Sequence, residues 1–249
     1  MAHRRNRPEY SPAEVLNLVC QAPVLWPGRT VRLERDSLLD QCTRSTSAQV
    51  SVSELYHENS KLSRHQLAEL AMTAVDSAAL RAEFLVRRAA VARSTGGEIA
   101  QTAPWKVLLD GACAGGPDWL YAIELRLVVD RSMFAYEPIT GALDLMKQLS
   151  GAQVEEFVRA LALMDSPMAA TGAVVLVVGC FPRHEILLGS RGYRRTMIEA
   201  GRVTGEIVRR AEKDGRKTFV RYEFSDRELD QLTEVDGIEQ AVIVAIELG

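Results

Sequence analysis

The chain has little that would place it in a membrane, on nucleic acid or around a metal. Its four cysteines, Cys20, Cys42, Cys113 and Cys180, stand apart, with no C-x-x-C pair and no histidine at ligand spacing. Neither a zinc site nor a disulfide framework is expected, and the usage fits a reducing cytoplasm. No apolar run approaches the ~20 residues that a membrane-spanning helix needs. The basic start (His3, Arg4, Arg5, Arg7) is followed by no apolar core, so a signal peptide is not expected and the start reads as a solvated tail. A formal net charge of −3 leaves no basic field for nucleic acid. There is no G-x-G-x-x-G opening a helix, no P-loop, no H-E-x-x-H, and no G-x-S-x-G elbow around Ser94, Ser166 or Ser190. These absences exclude the commonest dinucleotide, zinc-protease and hydrolase sites.

What is present is an ordinary globular composition, 47% hydrophobic and 25% charged over 249 residues, enough for one substantial core. Ser11-Pro12-Ala13-Glu14 starts a helix with a cap, a first-turn proline and a glutamate three after the cap. That helix should end before Pro23, and Pro27-Gly28 marks a turn before a short strand at Thr30–Leu33. Residues 43–53 are rich in Ser, Thr and Gln and read as a linker. Ser63 then caps a long helical pattern to about Ala92, with Leu67, Leu70, Ala71, Ala74 and Ala78 on one stripe.

From Tyr121 the period changes. Tyr121–Asp130 is strand-like, and Met133–Pro138 with Ala142–Met146 forms a hairpin around Thr140-Gly141. Gln153–Met164 is an amphipathic helix. Ala173–Val178 and Ala241–Leu248 lack the alternation of half-exposed strands, so both are expected to be buried. Between Cys180 and Arg191 the pattern reads as a short crossing, with His184 on a solvated loop. A long helix runs from about Arg191 to Asp214 and ends at Gly215, and its Ala200, Gly201, Thr204 and Gly205 at one-turn spacings should leave a shallow groove for another helix. Lys217–Phe224 is strand-like, and Ser225-Asp226-Arg227-Glu228 caps one more short helix. The order gives an α+β class, with helices around one sheet.

Two stretches carry a resemblance. One is Ser190–Gly205, S-R-G-Y-R-R-T-M-I-E-A-G-R-V-T-G, directly after the apolar run. The other is Tyr56-His57-Glu58-Asn59-Ser60-Lys61-Leu62. Strand, crossing, Arg-x-x-Arg and Glu-Ala-Gly helix resemble the nitroreductase-like flavoproteins. Within these the chain is similar to the SagB-type or McbC-type dehydrogenases, which oxidise azoline rings in ribosomally made peptides. The heptapeptide resembles a mark of that branch placed before its flavin domain. The likeness divides the chain into a 1–53 extension with linker and a nitroreductase-like domain over 54–249.

The resemblance implies a central mixed or antiparallel sheet flanked by helices, an intertwined dimer, and flavin mononucleotide (FMN) between subunits. A dianionic phosphate calls for arginines or lysines and backbone donors, and the ring for an apolar face with close backbone approach. Arg191 and Arg194 fit the family's basic frame. Arg87-Arg88 or Arg93-Ser94 stand for its Arg-Ser segment, though a solvated helix face explains them equally well. Gly115 and Gly116 sit where its small-residue segment falls, and Arg216 where late basic residues occur. The partners implied are a second copy or a related dehydrogenase subunit, a cyclodehydratase and a precursor peptide.

One departure stands at the chemistry. Where the branch carries Lys-Tyr before Gly-x-Arg, this chain has Leu187-Leu188 before Gly189-Ser190-Arg191. Leucine neither donates nor accepts a proton. Either Tyr193 supplies that function, the chemistry differs, or the chain is a degenerate subunit beside an active paralogue.

Overall fold

The computed structural model describes residues 79, 82–87, 102–114, 121–161, 172–189 and 191–249. The 1–53 extension, the Tyr56–Leu62 heptapeptide, and Arg93, Ser94, Gly115 and Gly116 lie outside the described residues.

A helical stretch over 82–87 precedes helix α1 (Ala103–Cys113). Strands β1 (Ile123–Val129), β2 (Ser132–Glu137) and β3 (Ala142–Gln148) follow, then α2 (Gly151–Leu161) and β4 (Ala173–Cys180). The chain continues with α3 (Phe181–Leu188), α4 (Arg191–Lys213), β5 (Thr218–Arg221), α5 (Asp226–Thr233) and β6 (Gln240–Leu248). The six strands form one sheet in the order β3-β2-β1-β4-β6-β5, every neighbouring pair antiparallel.

Strand β4, with only branched or small side chains between Ala173 and Gly179, is buried at every position and lies between β1 and β6. Its two faces feed two cores. On one, Val175 and Val177 join Trp105 and Leu109 of α1 and Val203 and Ile207 of α4. On the other, Val174, Leu176 and Val178 join Phe157 and Leu161 of α2 and Leu229 and Leu232 of α5. Val174, Val177, Val242 and Val244 are all buried, as the lack of alternation in the two runs implied. Strand β1 alternates Ile123, Leu125, Leu127 and Val129 toward the first core, yet Glu124 and Arg126 between them are buried too.

The long helix α4 presents Ala200, Val203, Thr204, Ile207 and Ala211 to the sheet. It stops at Gly215, whose φ of +75° favours glycine, while the Arg216 amide donates back to the Ala211 carbonyl (2.9 Å). Among the described residues no helix is long and apolar enough to cross a membrane. Cys113 and Cys180 are buried, reduced thiols.

Three features differ from the sequence expectation. The segment after β4 is a helix, α3, and not a bare crossing; Pro182 in its first turn was the available signal. The same signal, Pro104, marks α1, for which no element was anticipated. Finally, the small residues of α4 do not form one groove. Ala200 and Thr204 face the core, whereas Gly201 and Gly205 are exposed, with nothing within 4 Å of where a Cβ would stand.

Candidate functional site

The site is built on the hairpin of α3 and α4 beyond the end of β4. Gly189 links the helices with φ 57° and ψ −146°, a conformation that side chains disfavour. The Gly192 amide then donates to the Gly189 carbonyl (2.8 Å). Gly192 lies so close to α3 that a Cβ there would meet the backbone of His184 and Glu185. This close packing puts Leu187 and Leu188, both half-buried, beside the first turn of α4, which carries Arg191, Tyr193 and Arg194.

Tyr193 stacks on Phe181 with ring centroids 4.7 Å apart and planes at 25°, and stays 38% exposed. Arg191 is exposed and Arg194 partly buried. Positive charge at a helix N-terminus is unfavourable to the macrodipole. Glu199 pairs with Arg195 (Nε to Oε1, 2.7 Å). Arg191 and Arg194 flank Tyr193 on the first turn of α4 and make a basic edge beside its ring. That donor set suits a phosphate and a planar ring.

Arg216 is placed differently. It follows the C-terminus of α4, about 30 Å from Arg194 at ~1.5 Å per residue. There its guanidinium lies 4.4 Å over the Trp105 ring. Within one chain these arginines cannot close on one phosphate.

His184, expected on a solvated loop, is instead fully buried in α3. The reason is tertiary: α4 folds back over it, and Tyr121 approaches its ring edge-on at 5.4 Å. Its Nδ1 lies 3.1 Å from Thr196 Oγ1 and its Nε2 3.4 Å from Glu199 Oε2. Next to it, Arg183 is fully buried and donates to Glu124 (2.5 Å) and to the Tyr121 carbonyl (3.1 Å). The Tyr121 hydroxyl donates back to the Arg183 carbonyl (3.1 Å), and the Arg183 guanidinium sits 4.6 Å over Phe84. Sequence reasoning missed this Glu124–Arg183 and His184–Glu199 layer. Its one signal was polar residues placed where their strand and helix would otherwise be apolar.

A separate polar group lies on α1, where the Tyr136 hydroxyl and Lys106 both donate to Asp110 (2.9 Å each). Burial, with Cys113 and Asp110 beside it, holds the Tyr136 phenol far above its ordinary range.

No protein-family model matches the chain, and no curated protein matches its sequence. Solved structures match in three dimensions. A protein of Anabaena variabilis described as a nitroreductase superposes with a TM-score of 0.55 at 16% identity, over 80% of this chain and 46% of that one. The present chain therefore spans less than half of that protein's length. The fold is nitroreductase-like. A nearly end-to-end match is to a chain of the E. coli microcin synthetase McbBCD complex with truncated pro-MccB17 bound. It covers 96% of this chain and 94% of that one, with a TM-score of 0.52 and 16% identity.

Proposed function

We propose that the chain is an FMN-dependent dehydrogenase component of a ribosomal-peptide tailoring pathway. It would act in the cytoplasm on thiazoline or oxazoline rings formed from Cys, Ser or Thr of a precursor peptide, after a cyclodehydratase. The observation that carries this reading is the near full-length match to a chain of the McbBCD microcin synthetase complex with truncated pro-MccB17 bound. Bound flavin would supply the redox chemistry by accepting the ring's hydride. The chain's own residues would do the rest. Arg191 and Arg194 would hold the phosphate, and the Tyr193–Phe181 stack would offer the flat surface. Arg93, Ser94, Gly115 and Gly116 remain candidates for the flavin's other contacts, with Arg216 reaching it only from a second subunit.

The ring must also lose a proton. Leu187 and Leu188 transfer none, so Tyr193 would be the candidate to relay it, its hydroxyl accepting the ring's proton while giving up its own to water at its exposed edge. The same leucines favour a second reading, a degenerate subunit that completes the flavin site of an active paralogue. Purification separates the two. A yellow protein that converts azoline to azole with the cyclodehydratase-treated precursor supports the dehydrogenase. A colourless chain that restores activity only to a related partner supports the scaffold, and no effect in either assay removes both.

If Arg194 grips the phosphate, Arg194→Ala weakens flavin retention more than tenfold, because a charged hydrogen bond contributes about 1.5–3 kcal/mol. Equilibrium dialysis against free FMN measures this; unchanged retention rules out the assigned grip.

We also propose that the exposed Gly201 and Gly205, flanked by exposed Ile198, form a seam against a helix of a second subunit. Each Gly→Ala replacement there should stabilise the isolated fold by about 0.5–1 kcal/mol. The double variant should nevertheless dissociate at concentrations where the original chain is dimeric. Sedimentation equilibrium together with thermal unfolding reads both effects, and a dimer of undiminished affinity excludes this seam.

A further inference from the structure

We infer that His184 is a positioning residue: through an Nε2 proton directed at Glu199 it locks α3 onto α4 and so sets where the hairpin presents Leu187, Leu188, Arg191, Tyr193 and Arg194. The role of those residues rests on the function proposed above, but the lock itself does not.

Glu199 fixes which side of the imidazole carries hydrogen. Its Oε1 accepts from Arg195, which marks the carboxylate as the charged partner of that arginine. Its Oε2 lies 3.4 Å from His184 Nε2, within ion-pair distance but outside hydrogen-bond geometry, and both side chains are almost wholly buried. Two lone pairs facing each other in a dry interior repel, so the nitrogen on that side carries the hydrogen. The other nitrogen is free to take either form. Thr196 Oγ1 lies 3.1 Å from Nδ1 and 3.1 Å from the Gly192 carbonyl. Its single proton can point to Gly192 while the oxygen accepts from Nδ1, or turn to donate to an unprotonated Nδ1. The hydroxyl rotor thus keeps Nδ1 satisfied in both states, while the Nε2–Glu199 contact persists.

The mechanical consequence follows from helix spacing. Leu187 and Leu188 stand three and four residues beyond His184 on one face of α3. Thr196 and Glu199 stand one and two turns beyond Gly192, which packs on the α3 backbone. The imidazole is therefore a bridge between the two helices one turn behind the tip. Tyr121 closes its edge, and Arg195 covers Glu199 from the solvent side.

The test uses the full chain with 15N-labelled histidine. Four histidines are present, and the signals missing in His184→Gln identify His184. From about pH 6 to pH 8 Nε2 should give a protonated-type resonance throughout, with any change confined to Nδ1. An unprotonated Nε2 anywhere in that interval overturns the inference.

A second arm compares replacements. Glutamine carries an N–H near the place of Nε2, asparagine one nearer Nδ1, and leucine neither. His184→Gln should keep amide exchange in α3 within about twofold of the original chain, whereas His184→Asn and His184→Leu should raise it about tenfold or more. If leucine equals glutamine, or if asparagine protects as well as glutamine, the side chain only fills space and the inference falls. The asparagine comparison decides the matter should the leucine variant not fold. Flavin retention, measured alongside, should follow the same order. A chain that binds no FMN would defeat the proposed function while leaving the nitrogen signature and the exchange order to judge the lock.

Discussion

Replacing Glu124 by alanine should lower the unfolding free energy by about 3–5 kcal/mol, because it strands a buried charge. Its partner Arg183 has no solvent exposure, and the pair lies between the start of β1 and the first turn of α3. Without the carboxylate, the guanidinium keeps the Tyr121 carbonyl as acceptor and the Phe84 ring against its face. Replacing both members, Glu124→Leu with Arg183→Met, should recover most of the loss. The remainder, about 1–3 kcal/mol, reflects the Tyr121 carbonyl left without its donor. Chemical denaturation followed by circular dichroism measures all three proteins. A Glu124→Ala loss under about 1 kcal/mol would mean that the pair behaves like a solvated surface ion pair.

The second large effect is expected at Gly192. Added methylenes in a packed interior usually cost about 1–3 kcal/mol. At Gly192 the obstacle is backbone, the His184 carbonyl carbon and the Glu185 amide and Cα, so no rotamer change relieves it. Gly192→Ala should therefore cost at least ~3 kcal/mol or force α3 away from α4. Displacing α3 would pull His184 from Glu199 and carry Leu187 and Leu188 with it. Gly201→Ala, further along the same helix, meets nothing and should be neutral or stabilising. Denaturation of the two variants side by side separates a packing requirement from a general intolerance of alanine. Equal stability would show that α3 yields at little cost.

The residues that were legible and those that were not differ in a consistent way. Ala173–Val178 and Ala241–Leu248 were readable as buried strands because a run of apolar residues without alternation has only one favourable environment. The hairpin at Thr140-Gly141 and the helix end at Gly215 were readable because positive φ selects glycine, at 64° and 75° respectively. The Arg191–Arg194 frame was legible as a motif of side chains within one helical turn. His184 was not legible. Its neighbours in sequence are compatible with a loop, and only the return of α4 removes its water.

Local sequence alone thus determined where the long helix and the central strands lie, and that Leu187-Leu188 holds no proton, since each depends on side-chain chemistry within a few residues. Tertiary structure decided which charges share a space. Glu124 and Arg183 are 59 positions apart, and His184 and Glu199 belong to different helices. It also placed the Arg216 guanidinium over the Trp105 ring of α1. Distances of that kind come from how helices fold back on a sheet, and no short-range pattern encodes them.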